Sequence, residues 1–279
     1  MPQAPRAHRP PPLARRARAI GRGALLLLAA SLPLAARSDD AADTIVHIPG
    51  TLPLVLTVPH DGDQTLGFTP VRRQGALLRD LGTRPVAEQV ADLLARRLGQ
   101  RPCLVVAKVS RRFLDVNRSE AEAMDSDNAL PAYRAYHAAV ARCVADARAR
   151  HPQGALLVDV HGQAQVPDTT FRGTRAGLTT QALLARHGPA ALQGPHSLIG
   201  LLAARGYTVH PAIGSDSLRE DARYAGGYTV FTYGSHKPDG IDAIQLELGQ
   251  LQRQNPQLPQ DLADALATFL GQHGYLPTR

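Results

Sequence analysis

The sequence contains no tryptophan, and aromatic residues make up only 4% of its 279 positions. A surface that binds nucleic acid by stacking bases on aromatic side chains is therefore poorly supplied. The formal net charge is +7, but seven arginines and no acidic residue precede residue 39. Without residues 1–38 the formal net charge is 0. We therefore expect no nucleic-acid partner for the folded part of the chain.

The apolar run over residues 24–36 is too short to span a membrane. It holds 13 residues, whereas a transmembrane helix needs about 20. An arginine-rich start precedes the run, and small residues suited to a signal-peptidase cut before Asp39 follow it, as in an export signal. We expect residues 1–38 to be an export signal or a disordered basic N-terminus. The mature protein is then expected to be periplasmic or secreted, without a stable membrane span.

Only two cysteines occur, Cys103 and Cys143. An oxidising compartment permits a disulfide between them, and one strand packed on one helix would bring them together. Two separate buried thiols are the alternative, and the sequence leaves both open.

Residues 39–279 predict a single α/β domain. Apolar, β-rich runs alternate with segments of helical periodicity, which indicates a three-layer fold with a mixed, mostly parallel sheet and helices on both faces. In such sheets, functional residues collect in the loops after the carboxyl ends of the strands. The predicted strands cover residues 52–58, 103–109, 155–160, 207–210, 227–233 and 241–248, and the predicted helices cover residues 85–98, 131–150, 196–205 and 259–270.

Two of the predicted strands lead into a histidine with a glycine close behind it. His60 follows the first apolar run, and His161 ends the third. Zinc takes imidazole and carboxylate ligands, and a catalytic zinc site keeps three protein ligands. The sequence therefore predicts one zinc ion bound by His60, His161 and Asp63, with Asp61 as the alternative third ligand.

Residues 110–118, SRRFLDVNR, follow the second predicted strand. Arginine offers a planar fork of donors that binds a carboxylate bidentately, and asparagine adds a neutral donor. We expect this stretch to bind a carboxylate of the substrate and Arg112 to act in catalysis by stabilising an oxyanion. Asp115 is expected to hold a guanidinium in place. A solvated basic loop is the alternative.

Two further charged residues stand out. Glu247 lies inside the apolar run 241–248, where a carboxyl group is costly unless it is paired, metal-bound or used. Desolvation there raises its pKa towards that of a general base, whereas an edge strand would let it face water. Arg175 lies in the segment 166–180 and is expected to bind substrate, with a solvated surface position as the alternative.

Five short motifs run through residues 52–253 in an order that resembles the N-formylglutamate amidohydrolase family. Each motif is weak alone, but the ordered set is fairly specific. The matching residues are Pro59-His60-x-Gly62, Asp80-x-x-Thr83, Ser110-Arg111 through Asp115-x-Asn117-Arg118, Asp159-x-His161-Gly162 and Gln245-x-Glu247.

The resemblance implies a phosphorylase/hydrolase-like fold related to zinc carboxypeptidases and aspartoacylase. It also implies that His60 and His161 bind zinc, that the pair at positions 117 and 118 holds the substrate carboxylate, and that Glu247 is the general base. The sequence departs from the carboxypeptidase relatives by offering Asp63 where they have glutamate.

These features predict a zinc-dependent hydrolase that cleaves the amide bond of small carboxylate-bearing substrates such as N-acyl or N-formyl amino acids. The alternatives are an exported zinc carboxypeptidase or peptidoglycan-fragment amidase, and a non-catalytic periplasmic binding protein on the same fold. A serine hydrolase is disfavoured because no Gly-x-Ser-x-Gly motif occurs.

Overall fold

Strands and helices alternate along the part of the chain that the computed structural model describes, which is residue 41 and residues 43–67, 69–215 and 217–276. The predicted export signal, residues 1–38, lies outside the described residues. The strands are β1 (Ile45–Ile48), β2 (Leu54–Val58), β3 (Cys103–Ala107), β4 (Leu156–Gln163), β5 (Thr169–Gly173), β6 (Thr208–His210) and β7 (Asp242–Gly249). The helices are α1 (Thr83–Leu98), α2 (Glu120–Ala123), α3 (Leu130–Arg150), α4 (Gln181–His187), α5 (Ala190–Gln193), α6 (Leu198–Ala203), α7 (Tyr228–Tyr233), α8 (Gln250–Arg253) and α9 (Leu258–Gln272), with 3-10 turns at Asp127–Ala129 and Leu178–Thr180.

The described strands form one seven-stranded sheet in the order β1-β3-β2-β4-β7-β5-β6. The four central strands β3, β2, β4 and β7 run parallel. At one edge β1 is antiparallel to β3, and at the other edge β5 is antiparallel to β7 and parallel to β6. The carboxyl ends of β2, β4 and β7 therefore meet at one edge of the sheet.

Helices cover both faces of this sheet. Leu54, Leu56 and Val58 of β2 pack with α1, α6 and α9 on one face. Val55 lies on the other face and packs with α3. This alternation follows from the two-residue period of a strand. The predicted three-layer α/β architecture with a mixed, mostly parallel sheet is confirmed.

The prediction of a strand over residues 227–233 is wrong, because this segment forms helix α7. A short apolar run does not distinguish a strand from a buried helix. The local hydrogen bonding decides: the Thr229 N–H donates to the Asn117 side-chain oxygen at 2.7 Å, which satisfies a free N–H group in the first turn of α7. The edge strands β1 and β5 were not predicted from the sequence.

A disulfide joins Cys103 of β3 to Cys143 of α3, with 5.9 Å between the two Cα atoms. It ties one helix layer to the sheet, and of the two alternatives left open by the sequence the structure has the bonded pair. Among the described residues, no helix combines the length and the apolar character needed to cross a membrane.

Candidate active site

Three buried donor atoms converge at the carboxyl edge of the sheet. The Nδ1 atoms of His60 and His161 lie 3.1 Å apart, and Asp80 Oδ2 lies 3.4 Å from the first and 3.2 Å from the second. In a tetrahedral zinc site with bonds of about 2.0–2.1 Å, ligand atoms lie about 3.3–3.4 Å from each other. The three side chains therefore have the chemistry and the spacing to hold a metal ion.

Carboxylates on the opposite side of each imidazole set the direction of the two Nδ1 atoms. His60 Nε2 lies 2.7 Å from Asp115 Oδ1, and His161 Nε2 lies 2.9 Å from Asp159 Oδ2. Asp159 is itself fixed by the Thr57 hydroxyl, which donates to Oδ1 at 2.6 Å. A carboxylate that accepts a hydrogen bond from Nε2–H keeps the proton on Nε2. The Nδ1 atom then has a free lone pair for a metal, as is usual for metal-bound histidines.

The strand register explains why these polar side chains meet. Asp159 and His161 of β4 lie directly beside Gln245 and Glu247 of β7. Their apolar neighbours along each strand pack on the opposite face with α1 and α9. The polar side chains of β4 and β7 therefore lie on the face of the sheet that packs against α3, beyond the last apolar residues of that face.

The charges of these groups are strongly coupled. Burial raises the pKa of Asp80, but hydrogen bonds to His161 and His60 outweigh it and hold the pKa well below its ordinary value. Burial lowers the pKa of His161, but Asp159, Asp80 and Glu247 outweigh it and the pKa stands well above its ordinary value. Carboxylates thus favour a positive charge at the point where the two imidazoles meet, whether a proton or a metal ion supplies it.

Glu247 faces this cluster. Its Oε1 atom lies 4.0 Å from His161 Nδ1 and accepts a hydrogen bond from Gln245 Nε2 at 3.0 Å. Burial raises the pKa of Glu247. Gln245 in turn accepts from the Gly227 N–H at 2.7 Å, so β7 and the segment before α7 hold each other in place.

Asn117 lies next to the histidine cluster, and Arg118 follows it in the same loop. Asn117 is buried, with Nδ2 3.2 Å from His161 Nε2 and Oδ1 accepting from Thr229 N. A side chain at Gly227 would collide with Asn117, because an added Cβ would lie 2.2 Å from Nδ2. The structure thus places Asn117 and Arg118 at the site, as the sequence predicts.

A cavity of about 620 Å³ opens at these groups, a size suited to a small-molecule ligand. The arginines that line it are Arg79, Arg111, Arg118, Arg223 and Arg253. Arg79, Arg111 and Arg223 are paired with carboxylates, and Arg253 donates to backbone carbonyl groups. In the described part of the chain Arg118 forms no ion pair and donates only to the Asn117 carbonyl at 2.9 Å. Its guanidinium is therefore available to an anionic ligand.

The expectation that Asp63 joins His60 and His161 is not met. Its side chain is 79% exposed and pairs with Arg79. The reason lies at Gly62, where an added Cβ would lie 2.4 Å from the backbone at the end of β3. The chain follows that strand end, with Gln64 N donating to the Lys108 carbonyl, and so leads away from the cluster. Asp80 occupies the third position instead.

Asp61, the alternative third ligand, is buried but serves the start of helix α1. Its Oδ2 atom accepts from the N–H groups of Gly82 at 3.1 Å and Arg84 at 2.8 Å, and Oδ1 accepts from Arg79 at 2.6 Å. A carboxylate at this position satisfies free N–H groups of the first helical turn. Asp61 therefore holds the helix whose preceding loop carries Asp80.

Arg112 is exposed and lies outside the cavity, whereas Arg111 lines it. The Phe113 N–H donates to the Ser110 carbonyl at 2.9 Å, which closes a turn, and neighbouring residues in this turn face different sides. Arg111 donates from Nε to Asp115 at 3.0 Å, and its Nη1 atom lies 3.6 Å from Asp80 Oδ1. The oxyanion role expected of Arg112 therefore has no support in its position.

Arg175 also lies away from the cavity. Its guanidinium carbon lies 4.4 Å from the centre of the Phe231 ring, and Nε donates to the Gly226 carbonyl at 3.2 Å. The Arg175 N–H is bound to the Ala225 carbonyl at 2.7 Å, which turns the side chain to the exposed surface. The position of Arg175 therefore does not support the expected role in substrate binding.

The residues that the sequence reasoning missed are Asp80 and Arg111. Asp80 lies in the long loop before α1, and its only signal was the Asp-x-x-Thr motif. Arg111 is part of the predicted basic stretch, but nothing in the sequence distinguishes it from its neighbour Arg112.

Two solved structures share the fold at low sequence identity. The crystal structure of N-formylglutamate amidohydrolase from Ralstonia eutropha JMP134 has a TM-score of 0.55 and 18% identity, covering 83% of this chain and 98% of that chain. A gene product from Agrobacterium tumefaciens has a TM-score of 0.52 and 16% identity, covering 84% of this chain and 96% of that chain. At these identities the likeness establishes the fold alone.

A comparison of the sequence with models of protein families also points to the N-formylglutamate amidohydrolases. The model of the N-formylglutamate amidohydrolase family matches residues 127–252, a stretch that contains Asp159, His161, Gln245 and Glu247. No curated protein sequence matches the chain significantly. The resemblance that the ordered motifs predict is therefore confirmed: the chain is similar to the N-formylglutamate amidohydrolases, a family of amide hydrolases.

Proposed function

We propose that the protein is a zinc-dependent amidohydrolase that cleaves the amide bond of small carboxylate-bearing substrates such as N-acyl or N-formyl amino acids. The observation that carries this proposal is the convergence of His60, Asp80 and His161 beside the buried carboxyl group of Glu247. A buried metal site next to a group that accepts protons is the arrangement that metal-assisted hydrolysis requires.

His60, His161 and Asp80 would hold the zinc ion. Zinc bound by these residues would supply a Lewis acid that polarises an amide carbonyl and lowers the pKa of a neighbouring water molecule. Asp115 and Asp159 keep the two imidazoles in the tautomer that presents Nδ1 to the site. Three protein ligands would leave a further position for water or substrate.

Glu247 is the proposed general base. It takes the proton from the attacking water and then passes it to the leaving nitrogen. Burial, which raises its pKa, suits both steps because the carboxyl group has to accept and release a proton near neutral pH. Gln245 holds the carboxyl group in the direction of the cluster.

Arg118 and Asn117 are proposed to select the substrate. The guanidinium of Arg118 has no acidic partner among the described residues and lines the cavity. Asn117 lies between Arg118 and His161 and would fix the distance between the substrate carboxylate and the scissile amide. A substrate with a carboxylate close to its amide bond fits this arrangement.

The proposed location remains the periplasm or the exterior of the cell. The arginine-rich start with its apolar run supports export. The disulfide between Cys103 and Cys143 supports an oxidising compartment.

Release of free amine from a panel of N-formyl, N-acetyl and longer N-acyl amino acids and short peptides, by zinc-loaded protein, tests the proposal. Glu247→Gln should lower kcat about 10²- to 10⁴-fold and keep the zinc. Arg112→Ala, an arginine change outside the cavity, is the control and should retain activity. A wild-type protein that holds zinc, binds members of the panel and releases no amine would instead be the non-catalytic binding protein.

A further inference from the structure

Two side chains of helix α3 hydrogen-bond to the backbone of the loop that carries Asn117 and Arg118. The Tyr133 hydroxyl donates to the backbone carbonyl of Arg118 at 2.9 Å. His137 Nε2 lies 3.0 Å from the backbone carbonyl of Val116. Two side chains one helical turn apart therefore hold the peptide groups that flank the Asn117–Arg118 pair.

His137 lies at the centre of an aromatic cluster. The sequence has seven tyrosines, and four of them pack around this imidazole, with ring-centre distances between 4.4 and 6.1 Å. These four are Tyr133, Tyr136, Tyr228 and Tyr233. Four of the seven tyrosines thus pack against the imidazole that holds the Val116 carbonyl.

The same cluster reaches the other segment that contacts Asn117. The Tyr233 hydroxyl donates to the backbone carbonyl of His137 and lies 3.0 Å from its Nδ1 atom. Tyr233 and Tyr228 are the last and first residues of α7, and the N–H of Thr229 in that helix binds the Asn117 side chain. Helix α3 thus holds the main chain at Asn117, and through α7 it holds the partner of the Asn117 side chain.

Neither Tyr133 nor His137 lines the cavity. We propose that both are positioning residues, which act through Asn117 and Arg118 to set where the substrate carboxylate binds. This inference rests on the proposed function, because it assigns the support for the carboxylate-binding pair. The peptide carbonyl of Asn117 accepts from Arg118 Nη1, so a shift of this loop moves the guanidinium as well.

Tyr133→Phe removes one hydroxyl and keeps the ring. On the substrate found in the panel, KM should rise about fivefold, the effect of losing one neutral hydrogen bond, with kcat unchanged. His137→Leu should act in the same direction, and His137→Gln, which can still donate to the Val116 carbonyl, should restore part of the loss. Tyr207→Phe is the matched control, since its hydroxyl donates to Asp261 at a distance from the cavity and its KM should not change.

A second comparison separates positioning from general stability. If Tyr133 acts through Arg118, Tyr133→Phe in an Arg118→Ala background should leave KM where Arg118→Ala alone puts it. A purely structural role would lower the melting temperature of both single variants and leave KM unchanged, and that result would overturn the inference. Zinc content should stay the same in all variants.

Calorimetric binding of N-acetyl-L-glutamate to zinc-loaded protein gives a readout that needs no turnover. Binding to Tyr133→Phe that is about fivefold weaker than to wild type supports the positioning role, even if the ligand is never hydrolysed and the proposed function fails. Equal affinity of the two proteins, or no binding to the wild type, would overturn it.

Discussion

The Nδ1 atoms of His60 and His161 lie 3.1 Å apart, although 101 residues separate the two histidines in the chain. Parallel pairing of β2 with β4 brings them together at the same edge of the sheet. Because Nε2 of each ring is directed at its own carboxylate, both Nδ1 atoms point to one place, which a single cation can satisfy. Asp80 Oδ2, 3.2 Å from His161 Nδ1, adds a negative charge that would balance part of a divalent ion.

The first prediction concerns zinc binding and compares two aspartates, one buried at the histidine cluster and one exposed away from it. Asp80→Ala removes a buried donor and should weaken zinc binding more than about 100-fold, beyond the usual effect of losing an outer hydrogen-bond partner. Asp63→Ala should leave zinc binding unchanged, because its side chain is 79% exposed and its ion-pair partner among the described residues is Arg79. Chelator competition on both variants measures the affinities. If zinc binding is weakened in Asp63→Ala and unchanged in Asp80→Ala, Asp63 and not Asp80 is the third ligand.

The second prediction compares two arginines of one loop. Arg118→Ala should raise KM for a carboxylate substrate about 10- to 100-fold, as expected when a charged hydrogen bond is lost. Arg112→Ala should leave KM within twofold, since the side chain is exposed and lies outside the cavity. Steady-state kinetics on an N-acyl amino acid and on its amide analogue, which lacks the carboxylate, provides the check. The Arg118 effect should disappear on the amide.

The sequence predicts the parts of the site that depend on strands. His60 and His161 follow apolar runs, and strand ends of a parallel sheet meet at one edge, so their proximity follows from the fold. Glu247 is predicted for a different reason, because a carboxyl group inside an apolar run is costly unless it is paired, metal-bound or used. The pairing of β4 with β7 then places it beside His161.

The parts that depend on loops are not predictable in the same way. Asp80 reaches the cluster from a long loop, whose course is set by the Asp80 N–H bond to the His60 carbonyl and by Asp61 at the start of α1. Which of Arg111 and Arg112 faces the cavity depends on the single turn that the Phe113 N–H bond to the Ser110 carbonyl closes. The run over residues 227–233 has the composition of a strand, whereas its tertiary contacts, among them the bond from Thr229 N–H to the distant Asn117, are made by a helix.

The third prediction concerns the disulfide. Cys103 and Cys143 close a loop of 40 residues, and the chain-entropy model gives such a crosslink about 4 kcal/mol of stability. Replacing both cysteines with serine should therefore lower the free energy of unfolding by about that amount, with zinc binding kept because the pair lies apart from the site. Urea unfolding and a free-thiol assay under denaturing conditions measure both. Two titratable thiols in the untreated protein would contradict the pairing.

The last prediction is a pH dependence of stability that arises at His137. Burial lowers the pKa of His137 from its ordinary 6.5 to about 4, against smaller effects that raise it. The folded protein thus holds this imidazole neutral, while the unfolded chain takes up a proton below pH 6.5. Stability is therefore lost as the pH falls from 6.5 to about 4, by up to about 3 kcal/mol from this group. Urea unfolding of wild type and His137→Gln between pH 4 and 7.5 measures it, because glutamine does not titrate. The difference in unfolding free energy, wild type minus variant, should decrease towards acid pH. A difference that stays constant or grows there would show that folding does not lower the pKa of His137.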